Sequence, residues 1–146
     1  MKISRNFSTE EFSASETAKK YGIVNQITTT EQRDAIFALV RKVLQPLRDL
    51  YQKPMKVNSG FRTPELNARV GGVATSQHCK GEAADIETGN HTESYRLARL
   101  AKTTPAIFKE IDQMILYPTF VHFSHRLKGK QRNQIIYNKT YKGRWV

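Results

Sequence analysis

The chain has 146 residues, 38% of them hydrophobic, a single cysteine and a formal net charge of +11. That length supports one domain with a sizeable core, and a lone cysteine excludes both an intramolecular disulfide and a thiolate cluster, which fits a reducing compartment at synthesis. All thirteen acidic residues lie at or before Asp112, whereas the 34 residues after it carry seven Lys or Arg, a one-sign surface that attracts polyanions such as nucleic acid or an anionic cell envelope.

The first residues, MKISRNFSTEEFSASE, lack the apolar run of a signal peptide, and no segment approaches the roughly 20 apolar residues of a membrane span. The expectation is a product that is cytoplasmic when made. Ser8-Thr9-Glu10-Glu11 has capping-box spacing and predicts a helix from Ser8 to Lys20 that stops before Gly22. A loop through Val24 to Thr30 follows. From Glu31, apolar residues Ala35, Ile36, Leu39, Val40, Val43, Leu44, Leu47 and Leu50 recur at three and four, which predicts a long core helix kinked by Pro46.

Residues 54–59 alternate and end at Gly60, a strand that delivers Phe61 and Arg62 to a site at its end. Thr63 then caps a helix with Pro64 at its first position, and Gly71-Gly72 ends it. Residues 83–87 read as a short strand and residues 92–102 as a covering helix. Residues 111–117 and 120–127 flank Pro118-Thr119 as a hairpin. From Lys139 onward a loose basic tail is expected. The sum is one α+β domain over residues 1–146, with helices covering a small, mainly antiparallel sheet.

The chemistry concentrates in residues 58–85. His78 and Asp85 lie seven residues apart with Gly81 between them, and can converge on one cation from a turn and the strand after it. His122, in an alternating apolar strand, is the best third ligand. Two imidazoles and one carboxylate leave a position open for water, the arrangement of a catalytic zinc rather than a closed structural one. A turn at Pro118-Thr119 would pair Tyr117 with Phe120, Ile115 with His122 and Gln113 with Ser124. Tyr117, Gln113 and Ser124 would then share the metal face, and Asp112 would lie opposite His125 on the other.

The bland readings are that His91 is a surface loop residue, that His125 is a surface residue at a strand end able to pair with Asp112, and that Arg62 pairs with Glu65. The basic tail has no zinc-finger spacing, basic zipper or aromatic RNA-binding signature, so no specific nucleic-acid partner is expected.

Ser59-Gly60-Phe61-Arg62-Thr63-Pro64, Leu66-Asn67, Gly71-Gly72, Ser76-Gln77-His78, Gly81, Ala83-Ala84-Asp85-Ile86 and Phe120-Val121-His122-Phe123-Ser124 together resemble the zinc D-alanyl-D-alanine peptidases of the M15 family. These are peptidoglycan-cutting enzymes whose fold is shared with the hedgehog signalling domain. Residues 6–12 and 44–48 resemble the opening of the compact, often phage-encoded branch. The resemblance implies zinc on His78, Asp85 and His122, Arg62 on a substrate carbonyl or carboxylate, and Ser76 supporting that contact. It also implies peptidoglycan stem peptides as partners, a monomer, and action on the cell wall after release. Gln113 and Ser124 are further expected substrate contacts.

Family members usually carry a glutamate base on the strand leading into the last histidine, and this chain has no acid between Asp112 and His122. Tyr117 is the nearest substitute, better suited to donate a proton than to accept one. Glu82, Glu87, His91 and Glu93 are alternative bases. The competing reading is a catalytically weak or inactive zinc-stabilised module that binds cell wall or serves as a phage structural part.

Overall fold

The computed structural model describes residues 1–146. A short hairpin, β1 (Lys2–Ser4) and β2 (Phe7–Ser8), leads into α1 (Thr9–Ser13), α2 (Glu16–Tyr21), α3 (Thr30–Leu39) and α4 (Gln45–Tyr51). Strand β3 (Val57–Ser59) and helix α5 (Pro64–Arg69) precede a 3₁₀ turn at Gln77–Lys80. Then come β4 (Ala83–Glu87), α6 (His91–Thr103), α7 (Pro105–Phe108), β5 (Gln113–Leu116), β6 (Phe120–Ser124) and β7 (Gln134–Tyr137).

The expected first helix is two helices. Ala14 is extended (ψ 136°), and Ser15 starts α2 by accepting the Ala18 N–H, because a serine at that position caps more readily than it continues a helix. The long helix is also interrupted, by a π-helical turn over Val40–Leu44 in which Gln45 N–H donates to Val40 O. Pro46 follows at once, and the wider turn accommodates a residue that has no N–H and crowds the preceding carbonyls. The turn re-phases the apolar stripe: Leu47 is fully buried, but Leu50, which fits the stripe by spacing, is 50% exposed.

The main sheet has the order β3-β4-β6-β5-β7, antiparallel except for β5 with β7. One face carries Ala84, Ile86, Met114, Leu116, Val121 and Phe123, all buried, and α6 packs against it with Leu97, Ala98 and Ala101. The register Asp85↔His122↔Ile115↔Ile136 runs across the other face through four strands. That placement puts Asp85 and His122, followed by two isoleucines, on the side away from α6.

Strand β7 corrects the view of the C-terminal segment. The chain leaves β6, crosses the start of β5 through residues 125–133 and returns parallel to β5. Residues 139–146 are not loose: Tyr141 and Val146 are buried in the core cluster, Tyr137 hydroxyl accepts the Val146 N–H, and the Arg144 guanidinium lies 4.7 Å from the Tyr95 ring centroid.

Asp112 pins the crossover. Fully buried, it accepts Arg132 backbone N–H (2.8 Å), Arg132 Nη2 (2.7 Å) and Gln77 Nε2 (3.1 Å), with Arg126 Nε at 3.3 Å. His125 does not pair with it. That ring is 2% exposed and donates to the Glu110 carbonyl at 2.6 Å, so it is a packed structural group and not a surface one. Burial would raise the Asp112 pKa, but hydrogen bonds from Arg132 outweigh it and hold the carboxyl below the usual range.

A depressed pKa gives stability that is complete above the unfolded value near 4 and is lost as pH falls through the folded one. Asp112→Asn is expected to lower unfolding free energy by about 2 kcal/mol at pH 7. In urea melts from pH 7 to pH 3 the gap between wild type and variant should close as pH falls; a gap independent of pH would show that the charge contributes nothing.

Candidate metal centre

Asp85 stands at the middle of β4, and its carboxylate is the point of convergence. Oδ1 lies 2.9 Å from His122 Nδ1 and 3.4 Å from His78 Nε2, and Oδ2 lies 3.7 Å from Arg62 Nη2. The ligand atoms of His78, Asp85 and His122 all fall within 4.8 Å of one another. His122 meets Asp85 because the two are direct register partners on neighbouring strands. His78 comes from the 3₁₀ turn, whose start is capped by Ser76 Oγ accepting the His78 N–H at 3.2 Å. Gly81 ends that turn at φ 76°, and any side chain there would strike Gln32 O at 2.5 Å.

Protonation and orientation favour a cation. His78 Nδ1 donates to the Gly60 carbonyl at 2.6 Å, which leaves the Nε2 lone pair aimed at the cluster. Burial pushes the His78 pKa below its ordinary value, with Asp85 opposing, so the ring is neutral at pH 7. Burial would raise the Asp85 pKa, but the His122 imidazole hydrogen-bonded to it and the His78 ring beside it outweigh that and hold the carboxyl well below the usual range. Two imidazoles and one carboxylate fit zinc, and three protein ligands leave a position for water or substrate.

Arg62 is the second functional group. Its Nε donates to Ser59 Oγ at 3.1 Å and its Nη1 to Asn67 Oδ1 at 3.2 Å; Glu65 is not its partner. Its backbone is strapped down as well. Arg62 N–H donates to His78 O, Phe61 N–H to Phe12 O, and the Asn25 amide bridges Phe61 O and Thr63 N–H. Gly60 is required beside this strap because a Cβ would sit 2.7–2.8 Å from Phe12. Asn25, Asn67 and Gln77 were not legible as site residues. Asn67 is 3% exposed and anchored by donating to Val73 O, and its only signal was its place beside Leu66 in the motif.

The remaining candidates divide. Tyr117 stacks on Phe120 with ring centroids 4.1 Å apart. Its pKa is raised, by burial first and then by the Asp85 charge, so it is a protonated hydroxyl within electrostatic range of the cluster. Gln113 donates to Gln134 Oε1 at 2.8 Å and lies on the metal face. Ser124 is fully buried with its hydroxyl accepting the Gln113 N–H, so it ties the hairpin and is closed to any substrate.

The alternative bases are engaged elsewhere. Glu82 holds Leu127 N–H and Gln77, Glu87 pairs with Lys56, and Glu93 pairs with Lys53 and Arg96 and accepts from Tyr51. His91 is not a loop residue; it is the first residue of α6, half-buried 5.5 Å from the Tyr141 ring.

The chain is expected to bind one zinc per molecule. Free zinc at a hundredfold excess over Kd should raise unfolding free energy by about 2.7 kcal/mol. Asp85→Ala should abolish that gain in thermal melts with and without zinc, and a gain retained in the variant would place the ion elsewhere.

A family model described as Peptidase M15 matches residues 5–124. The zinc D-Ala-D-Ala carboxypeptidase of Streptomyces albus G is 44% identical over 48 residues, which make up 32% of this chain and 19% of that protein. The chain thus spans about a fifth of the length of that relative. The family match opens in the turn of the first hairpin and closes at the end of the strand bearing His122, so it takes in the three candidate ligands, the Arg62 strap and the frame that holds them, and the chain belongs to the peptidase M15 family.

Proposed function

We propose that the chain is a zinc metallopeptidase that hydrolyses an amide of peptidoglycan stem peptides, either a terminal D-Ala-D-Ala bond or an internal bond such as L-Ala-D-Glu. The observation that carries this reading is the convergence of His78, Asp85 and His122 with the Arg62 guanidinium beside them. The likeness to the Streptomyces zinc D-Ala-D-Ala carboxypeptidase supports the substrate class. Phage encoding and action on the wall after release belong to the same proposal and rest on the resemblance of residues 6–12 and 44–48.

Zinc, when bound, supplies Lewis acidity toward a carbonyl and lowers the pKa of water to about 7. Arg62, held by Ser59 and Asn67, presents a fixed fork to a carbonyl or carboxylate, a geometry that a lysine does not reproduce. Ser76 acts through His78, by capping the turn that carries it. Tyr117, protonated at neutral pH, is the donor available to the oxygen or nitrogen that gains charge as the amide breaks. No carboxylate other than Asp85 joins the cluster, so the proton lost by the attacking water leaves to solvent rather than to a protein glutamate. That same lack of a base is what favours the second reading, a zinc-stabilised wall-binding module without turnover.

Two measurements test these statements. Zinc-loaded protein incubated with purified peptidoglycan should release D-alanine or a defined stem peptide, identified by mass, and His78→Ala should release none. No product from a protein holding its zinc would select the binding module. Tyr117→Phe should lower kcat roughly tenfold or more if the hydroxyl donates in the reaction. The donor is present below its raised pKa and lost above it, so wild-type activity should fall only at alkaline pH beyond the ordinary tyrosine range, and the variant should lack that limb. Equal kcat and equal pH profiles would remove Tyr117 from the mechanism.

A further inference from the structure

The metal row continues past its last ligand. Ile115 is the register partner of His122, and Ile136 is the register partner of Ile115, so both side chains lie on the metal face of the sheet. Ile115 is only half-buried and Ile136 is 39% exposed, although helices cover the opposite face of the same strands. Two β-branched aliphatics side by side make a small apolar patch on an open face next to the metal centre.

The strip also has boundaries. At one end the Gln113 amide donates to Gln134, making a polar rim two residues along the strands on the same face. At the other end Tyr117 stacks flat on Phe120. Neighbouring strands are about 4.8 Å apart, so Ile115 lies one strand and Ile136 two strands from the His122 position. On the opposite flank of the ligands, toward β3, stand Arg62 and Ser59. The face is therefore polarised across the metal, with a cation on one side and a compact apolar floor on the other.

We infer that Ile115 and Ile136 form a specificity subsite that takes a small aliphatic side chain of the substrate, on the residue across the cut amide from the group held by Arg62. This rests on the peptidase reading and names the side-chain class of that same site. With Arg62 on the β3 side of the ligand cluster, the β5–β7 side offers the residue across the cut amide a floor that gains by losing water against a methyl or short branched side chain. A polar side chain there would leave its hydrogen-bonding groups over hydrocarbon, a penalty that discriminates against seryl relative to alanyl.

The test uses Ile136, whose exposure makes substitution tolerable. With the bond known from product masses, kcat and KM are measured for two synthetic stem peptides that differ only in alanyl or seryl at that residue. Ile136→Asp should raise KM for the alanyl peptide about tenfold with kcat within twofold, erase the alanyl preference, and leave zinc stoichiometry unchanged. Ile136→Leu should behave as wild type. Unchanged KM, or an equal rise for both peptides, would overturn the subsite.

A second arm does not require turnover. Zinc-loaded protein with labelled isoleucine methyls is titrated with exhaustively digested muropeptides and followed by NMR. Shifts at Ile115 and Ile136, with Ile3 and Ile36 unmoved, support the floor even in a protein that cleaves nothing. A protein that cleaves while those two methyls stay still loses the subsite but keeps its peptidase reading. One that neither cleaves nor shifts loses both.

Discussion

A carboxylate set into the middle of a sheet and 8% exposed has to be compensated, and the molecule is organised around the compensation of Asp85. Three groups converge on it from three separate pieces of chain: a turn, a neighbouring strand and the exit of β3. Each piece needs its own support. The turn is held by Ser76 and tied through Gln77 to Asp112, and the β3 exit is held by Phe12, Asn25 and Asn67. The same carboxylate that would destabilise an apolar interior becomes, with the two imidazoles, a ready ligand set. The arrangement gives the metal a preformed seat at small reorganisation cost.

Much of this was legible in the sequence because it is local. The capped α5, strand β4 and the parity of the β5–β6 hairpin follow from turn residues and alternation over a few positions, and the hairpin register Ile115↔His122 follows from the turn at residues 118–119. The seven-residue spacing of His78 and Asp85 likewise encodes a turn followed by a strand. What stayed hidden depends on distant partners. Strand β7 has a short apolar run that does not declare itself until β5 lies parallel beside it, and Asp112 shows its role only once Arg126 and Arg132 return across the sheet. For His125, period-two parity gives the face but not the depth of the layer over it, so its burial is not legible in the sequence. Leu50 fitted a helical stripe that the π-helical turn rotated out of the core.

Family membership and this site's composition pull in different directions on catalysis. The ligand cluster, the Arg62 fork and the frame around them are present, while no carboxylate other than Asp85 joins them and the neighbouring strand end carries the stacked Tyr117 and Phe120. A protonated tyrosine raised by burial can stabilise charge that appears late in amide cleavage but cannot remove a proton early. The chemistry expected of such a site leans on Lewis acidity and on preorganised donors more than on general-base assistance.

The crossover over β5 also changes the meaning of the positive C-terminal segment. Of its seven cations, Arg126 and Arg132 are committed to Asp112 and Arg144 lies over the Tyr95 ring, which leaves Lys128, Lys130, Lys139 and Lys142, all exposed. The freely available positive surface of this segment is therefore made of lysine ammonium groups, flexible point charges without the planar fork that reads a phosphate or carboxylate bidentately. An anionic polymer meeting that surface is held by diffuse attraction that decays over about 8 Å at physiological ionic strength, so the segment can concentrate the chain near a charged matrix while letting it slide, and salt alone releases it.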